Sequence, residues 1–114
     1  MKILLIDDDL LSLKLLSIMV RHLAPDYEIF MTQNPEISMV IFEREKDIDI
    51  VITDMQMPDY DGDYLCNWFK KHRNIKCMLV SCNANDVRVN HKFDAVLQKP
   101  IDYEHFEKEF KKML

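Results

Sequence analysis

Five times along this chain a short run of β-branched or leucine-type residues gives way to a polar turn, and after most of them apolar residues recur at helical spacing. Few folds accommodate that alternation. The first run, residues 2–6, ends abruptly in Asp7-Asp8-Asp9, and Leu10, Leu11, Leu13, Leu15, Leu16, Ile18, Met19, Val20 and Leu23 then follow at spacings a helix can use. Pro25 and Asp26 stop that helix, and Tyr27 to Thr32 alternates like a half-buried strand at a sheet edge. Asn34-Pro35 is an N-cap followed by proline at the first helical position, opening a helix expected to turn Ile37, Val40, Ile41 and Phe42 inward.

The most informative run is Ile48 to Asp54, an apolar strand that delivers one acid to its carboxyl end before Pro58, Asp61 and Gly62 turn the chain. A helix with Leu65, Trp68 and Phe69 follows, closing in Lys70, Lys71, His72 and Arg73, cations that suit a helix C-terminus. Cys77 to Val80 is a fourth strand ending at Ser81, and Ala95 to Leu97 a short fifth ending near Lys99-Pro100. Asp102 caps a last helix with Phe106, Phe110, Met113 and Leu114 inward. Between Ser81 and Ala95 the asparagines Asn83, Asn85 and Asn90 are poor helix formers, so the fourth helix is expected to be short or distorted. This order predicts one α/β domain over 1–114, a doubly wound parallel sheet joined by right-handed crossovers and covered on both faces.

A single domain fits the 114 residues, and no linker-like segment divides them. The net charge of −5 argues against a nucleic-acid or anionic-membrane surface. The most apolar stretch, Leu10 to Val20, contains Lys14 and is shorter than a bilayer requires. With Met1 directly before the first strand and no signal-peptide pattern, a natural start and a cytoplasmic address are expected. Three cysteines, Cys66, Cys77 and Cys82, form no CxxC pair and no zinc-spaced cluster, so reduced thiols are expected. His22, His72, His91 and His105 are dispersed, as surface histidines are.

Asp7, Asp8, Asp54, Ser81 and Lys99 all fall at or just past the carboxyl ends of different strands, which a parallel sheet gathers on one rim. Three carboxylates held there repel one another unless a cation joins them. With only oxygen donors at hand, Mg²⁺ or Mn²⁺ is the ion expected. Asp54 suits attack on phosphorus, because a carboxylate of ordinary pKa, about 3.9, is ionised at neutral pH without a general base. Lys99, the Ser81 hydroxyl and backbone N–H groups then serve the phosphoryl oxygens.

From Lys2 to Leu114 the chain resembles the receiver domains of two-component response regulators. The motifs are the apolar strand into Asp7-Asp8, Asp54 followed by Met57-Pro58 and Asp61-Gly62, the hydroxyl of Ser81, and Lys99-Pro100. The resemblance implies a five-stranded sheet in order 2-1-3-4-5, with Asp54 accepting a phosphoryl group from a phosphohistidine on a sensor histidine kinase or histidine phosphotransfer protein. It implies Mg²⁺ held directly by Asp8 and Asp54, by the Gln56 backbone carbonyl, and by Asp7 through water, with Ser81 and Lys99 on the phosphoryl oxygens. Turnover would be limited to the domain's own phosphorylation and dephosphorylation, read out by a downstream protein partner or by onward transfer. Two departures stand out: Val96 occupies the position of the family's usual aromatic, and the interval from Ser81 to Lys99 is shorter than usual. By the same resemblance, Gln56 and Asn83 would hold the positions that govern water access to the phosphoryl group. Two alternatives are an unphosphorylated scaffold and a haloacid-dehalogenase-type phosphatase using Asp7 of Asp7-x-Asp9, although the chain is short for that family's core plus cap and has no second acidic pair after the lysine.

Overall fold

The computed structural model describes residues 1–82 and 93–114. Five parallel strands, β1 (Lys2–Ile6), β2 (Glu28–Thr32), β3 (Ile48–Asp54), β4 (Lys76–Ser81) and β5 (Ala95–Gln98), form one sheet in the order β2-β1-β3-β4-β5. Helices α1 (Leu10–Leu23), α2 (Pro35–Arg44), α3 (Gly62–His72) and α4 (Tyr103–Lys111) connect or follow them. The predicted doubly wound fold and its strand order are therefore observed. The segment expected to hold a short or distorted helix between β4 and β5 falls mostly on residues 83–92, outside the described residues.

The strands read as near-continuous apolar runs because both faces of the sheet are covered. Ile3, Leu5, Ile50, Ile52, Met78, Val80, Ala95 and Leu97 point to one side, where α1 supplies Leu13, Leu16, Met19 and Val20, and α4 supplies Phe106 and Phe110. Leu4, Ile6, Val51 and Cys77 point to the other, against Phe42 of α2 and Leu65, Cys66 and Phe69 of α3. A register shift between Lys2 and Ile3 pairs them with Ile48 and Ile50, leaving Asp49 as the extra residue of β3. Its carboxylate accepts the Lys2 N–H at 3.2 Å, and the shift lets Ile48 join the second cluster while Ile50 joins the first.

Each described helix begins on a side-chain cap. Asp9, Asn34, Asp61 and Asp102 accept backbone N–H bonds from Leu11, Glu36 and Ile37, Tyr64, and Glu104 respectively. The phase of α2 differs from expectation: Ile37 and Val40 are 50% and 60% exposed, and the buried residues are Pro35, Ser38 and Phe42. Phe42 fixes that phase. It packs on Phe69 with ring centroids 4.7 Å apart, and the Arg73 guanidinium lies 3.7 Å above its ring while bonding the Phe42 and Glu45 carbonyls. Ser38 is satisfied internally by the Pro35 carbonyl, so a polar residue occupies the buried position.

The expectation of reduced thiols is also corrected. Cys66 of α3 and Cys77 of β4 are both fully buried and joined as a disulfide, their Cα atoms 6.5 Å apart, while Cys82 is an exposed free thiol. The helix packs directly on the strand there, which an 11-residue separation does not reveal. His22, His72 and His105 are exposed as predicted, and His91 lies outside the described residues. No helix among the described residues is long and apolar enough to cross a membrane.

Candidate functional site

Parallel register sets the site. Ile6 pairs with Thr53, Asp54 with Val80, and Ser81 with Gln98, so the residues that end β1, β3, β4 and β5 lie side by side on one rim. The turns leaving the strands are tied across it: Met55 N–H donates to Val80 O at 2.8 Å, and Lys99 N–H to Ser81 O at 2.8 Å. The Lys99-Pro100 peptide bond is cis.

Carboxylate oxygens of Asp7, Asp8 and Asp54 all lie within 4.8 Å of one another. Asp7 and Asp54 are buried and Asp8 is exposed, so the cluster has two walls and one open side. Lys99 reaches in from the end of β5, its Nζ 3.0 Å from Asp7 Oδ2 and 3.3 Å from Asp54 Oδ1. Asp7 Oδ1 accepts the Asp9 N–H at 2.9 Å, while the Asp9 carboxylate turns away to cap α1 and accept from the Ser12 hydroxyl at 2.8 Å. Asp9 thus holds Asp7 through its backbone and starts the helix with its side chain, the signal for the latter being Ser12 three residues on.

One lysine does not balance two buried acids. Burial raises the Asp54 pKa from 3.8 to about 6, the Asp7 charge pushes it the same way, and Lys99 pulls back only in part. Asp7 is raised as well, by burial, against the lowering effects of the Asp9 N–H and Lys99. Burial disfavours the Lys99 ammonium, but its bonds to Asp7 and Asp54 outweigh that and raise its pKa. Asp54 is therefore not the carboxylate of ordinary pKa expected from the sequence: burial and the neighbouring Asp7 charge hold it above the usual carboxylate range. The donors are all oxygen, three carboxylates carry a negative excess, and one side is open: the arrangement fits a hard divalent cation.

Of the other predicted site residues, Ser81 and Gln56 lie at or just past strand ends of the same rim. Ser81 is buried at the end of β4, next to the Asp54 strand. Gln56 is exposed in the loop after β3. Asn83 lies outside the described residues. Gly62 matters through closeness rather than a left-handed backbone: a Cβ there would sit 2.5 Å from Asp54 O and 2.6 Å from Leu79 Cδ1. Its N–H donates to Met55 O at 2.8 Å, so only glycine lets α3 start against the strand end that carries Asp54. The left-handed position in that loop is Asp59 instead, with φ of 73°. Val96 lies on β5, its N–H accepted by Glu109 Oε1 of α4 at 3.3 Å.

Fold and rim together define a doubly wound α/β domain whose carboxyl edge carries an acidic cluster with a conjoined lysine. The model for the response regulator receiver domain matches residues 3–111. The two-component response regulator ORR26 of Oryza sativa subsp. japonica is 30% identical over 90 residues, which are 78% of this chain and 15% of that protein. ARR12 of Arabidopsis thaliana, also a two-component response regulator, is 28% identical over 86 residues, 75% of this chain and 14% of its own length. The chain thus spans about a seventh of the curated relatives it matches. A receiver domain from Clostridium thermocellum superposes with a TM-score of 0.83 at 23% identity, covering 98% of this chain and 92% of the other. A CheY-like receiver domain from Methylobacillus flagellatus gives 0.83 at 19% identity, covering 99% and 98%. This chain belongs to the response regulator receiver domain family.

Proposed function

We propose that residues 1–114 act as a phosphoacceptor in a two-component phosphorelay, with Asp54 as the acceptor. The supporting observation is the placing of Asp54 Oδ1 3.3 Å from Lys99 Nζ, in a rim where Asp7, Asp8 and Asp54 carry more negative charge than Lys99 offsets. The donor is a phosphohistidine on a sensor histidine kinase or histidine phosphotransfer protein. An Asp54 carboxylate oxygen forms the new P–O bond, the P–N bond of the donor breaks, and the departing imidazole nitrogen takes a proton from solvent. Lys99 neutralises charge on the phosphoryl oxygens, and the Ser81 hydroxyl donates to one of them.

Mg²⁺ would be held by Asp8, Asp54 and the Gln56 carbonyl, and by Asp7 through water, with Mn²⁺ as the substitute. When bound, the ion supplies positive charge and fixed coordination to the phosphoryl oxygens. Asp7, already bonded to Lys99 and the Asp9 N–H, keeps both neighbours in place.

A protein donor suits the surroundings. Leu11, Leu15 and Ile18 are 77%, 39% and 62% exposed at the i, i+4, i+7 positions of α1, an apolar stripe that starts beside the rim and fits a donor helix. The phosphorylated domain then binds a downstream protein or passes the group on, in the cytoplasm. With Val96 in place of an aromatic and its backbone held by Glu109, readout does not use an aromatic swing at this position.

Incubation with Mg²⁺ and a small acyl phosphate, followed by intact-mass measurement, tests the assignment. One added phosphoryl group is expected, absent from Asp54→Ala and retained by Asp9→Ala. An adduct that survives Asp54→Ala contradicts Asp54 as acceptor. No adduct from either the small donor or a phosphorylated histidine phosphotransfer protein would leave the scaffold reading in its place.

A further inference from the structure

A ring recurs at every fourth position along α3, counted from the loop before it: Tyr60, Tyr64, Trp68 and His72, of which Tyr64 and His72 are exposed while Tyr60 and Trp68 are half-buried against the core. Tyr60 and Tyr64 stack with centroids 5.1 Å apart, and Trp68 and His72 lie 4.0 Å apart. Tyr64 is 51% exposed although its neighbours Leu65 and Cys66 are fully buried. At 100° per residue, Tyr64, Asn67 and Lys71 run along the middle of the face opposite the buried Gly62, Leu65, Cys66 and Phe69.

Charge is graded along that face. Asp59, Asp61 and the half-buried Asp63, whose Oδ1 has no hydrogen-bond partner among the described residues, lie at its start, and Lys70, Lys71, His72 and Arg73 at its end. Lys70 is committed to Asp94 at 2.8 Å and Arg73 to the carbonyls of Phe42 and Glu45. Lys71 is exposed and makes no ion pair among the described residues.

A strip with acid at one end, rings in the middle and a cation at the other is complementary to itself after a two-fold rotation. We propose that α3 is the interface of a two-fold dimer of this chain, the helices antiparallel and crossing at Asn67. Asp63 and Lys71 are four residues on either side of Asn67, so each lies about 6 Å along the axis from the crossing. Asp63 of one copy therefore faces Lys71 of the other, twice per dimer. Tyr64, a residue type that interfaces favour, fills the space between. The acidic end excludes a nucleic acid along the whole strip, and a second copy matches both ends at once. α3 covers the sheet face opposite α1, so a dimer through it leaves the stripe on α1 accessible.

Sedimentation equilibrium from micromolar to several hundred micromolar chain tests the dimer. The parent is expected to associate reversibly, and more weakly as salt rises. Asp63→Lys and Lys71→Glu each place like charges opposite one another and weaken association on the order of tenfold. An equimolar mixture of the two variants is expected to recover parent-like association, since both cross pairs are then opposite in sign. That recovery also shows that neither variant is merely misfolded. A parent that stays monomeric throughout, a dimer indifferent to either reversal, or a mixture no stronger than its components overturns the proposal.

Discussion

The two ends of the sheet use the same residue types to opposite effect. At the amino end, Lys2 reaches Glu45 at 3.1 Å and Glu28 and Asp47 at 3.8 Å, and Lys70 reaches Asp94 at 2.8 Å. Glu28 and Asp47 are open to water and the other four groups partly so, and the carboxylates of Glu45 and Asp94 have lowered pKa values, Glu45 chiefly through its bond to Lys2. At the carboxyl end, Lys99 is shared between two buried acids and both have raised pKa values, because burial outweighs the lysine. At the first end the excess negative charge sits on Glu28 and Asp47, which are open to water. At the second, negative charge is left over beside an open side, a standing demand for a cation or a phosphoryl group's coordination shell.

The largest expected effect comes from removing the shared cation. Lys99→Ala leaves Asp7 and Asp54 uncompensated, and should cost about 3 kcal/mol at pH 8, allowing for water at the rim. At pH 5 the raised pKa values let the acids take up protons, so urea unfolding at the two pH values should show a much smaller loss at the lower one. Next, Gly62→Ala forces a methyl against Asp54 O and Leu79, and should cost about 2 kcal/mol and slow phosphorylation by the small donor.

Asp54→Asn sharpens the contrast with a gain. A carboxyl whose folded pKa, about 6, exceeds its ordinary value of 3.8 favours folding fully below about pH 4 and loses that contribution as pH rises through 6. Without divalent metal, the asparagine variant should therefore exceed the parent by about 1–2 kcal/mol above pH 7 and match it near pH 4. The smallest effect belongs to the amino end, where Lys2→Ala should leave the melting temperature nearly unchanged despite its three carboxylate neighbours.

The parallel sheet and the gathering of Asp7, Asp54, Ser81 and Lys99 were legible because each sits where an apolar run stops, and parallel strands bring such points together whatever lies between them, whereas the strand order followed only from the resemblance to receiver domains. The phase of α2 was not. Ile37 and Val40 look like core residues on their own helix, and only Phe42, clamped between Phe69 and Arg73 from other elements, shows which way the helix turns. The Cys66–Cys77 bond and the raised Asp54 pKa escaped for the same reason, since both follow from how closely α3 and the neighbouring strand ends pack. Gly62 was visible as turn chemistry, whereas its closeness to Asp54 O is a property of the assembled rim.

Thermal unfolding with and without Mg²⁺ puts the difference between the two ends to the most direct test. Mg²⁺ should raise the melting temperature of the parent and of Asp47→Ala at the amino end, and should do nothing for Asp8→Ala or Asp54→Ala at the carboxyl rim. A parent that ignores Mg²⁺, or an Asp8→Ala protein that still responds as the parent does, would contradict the account.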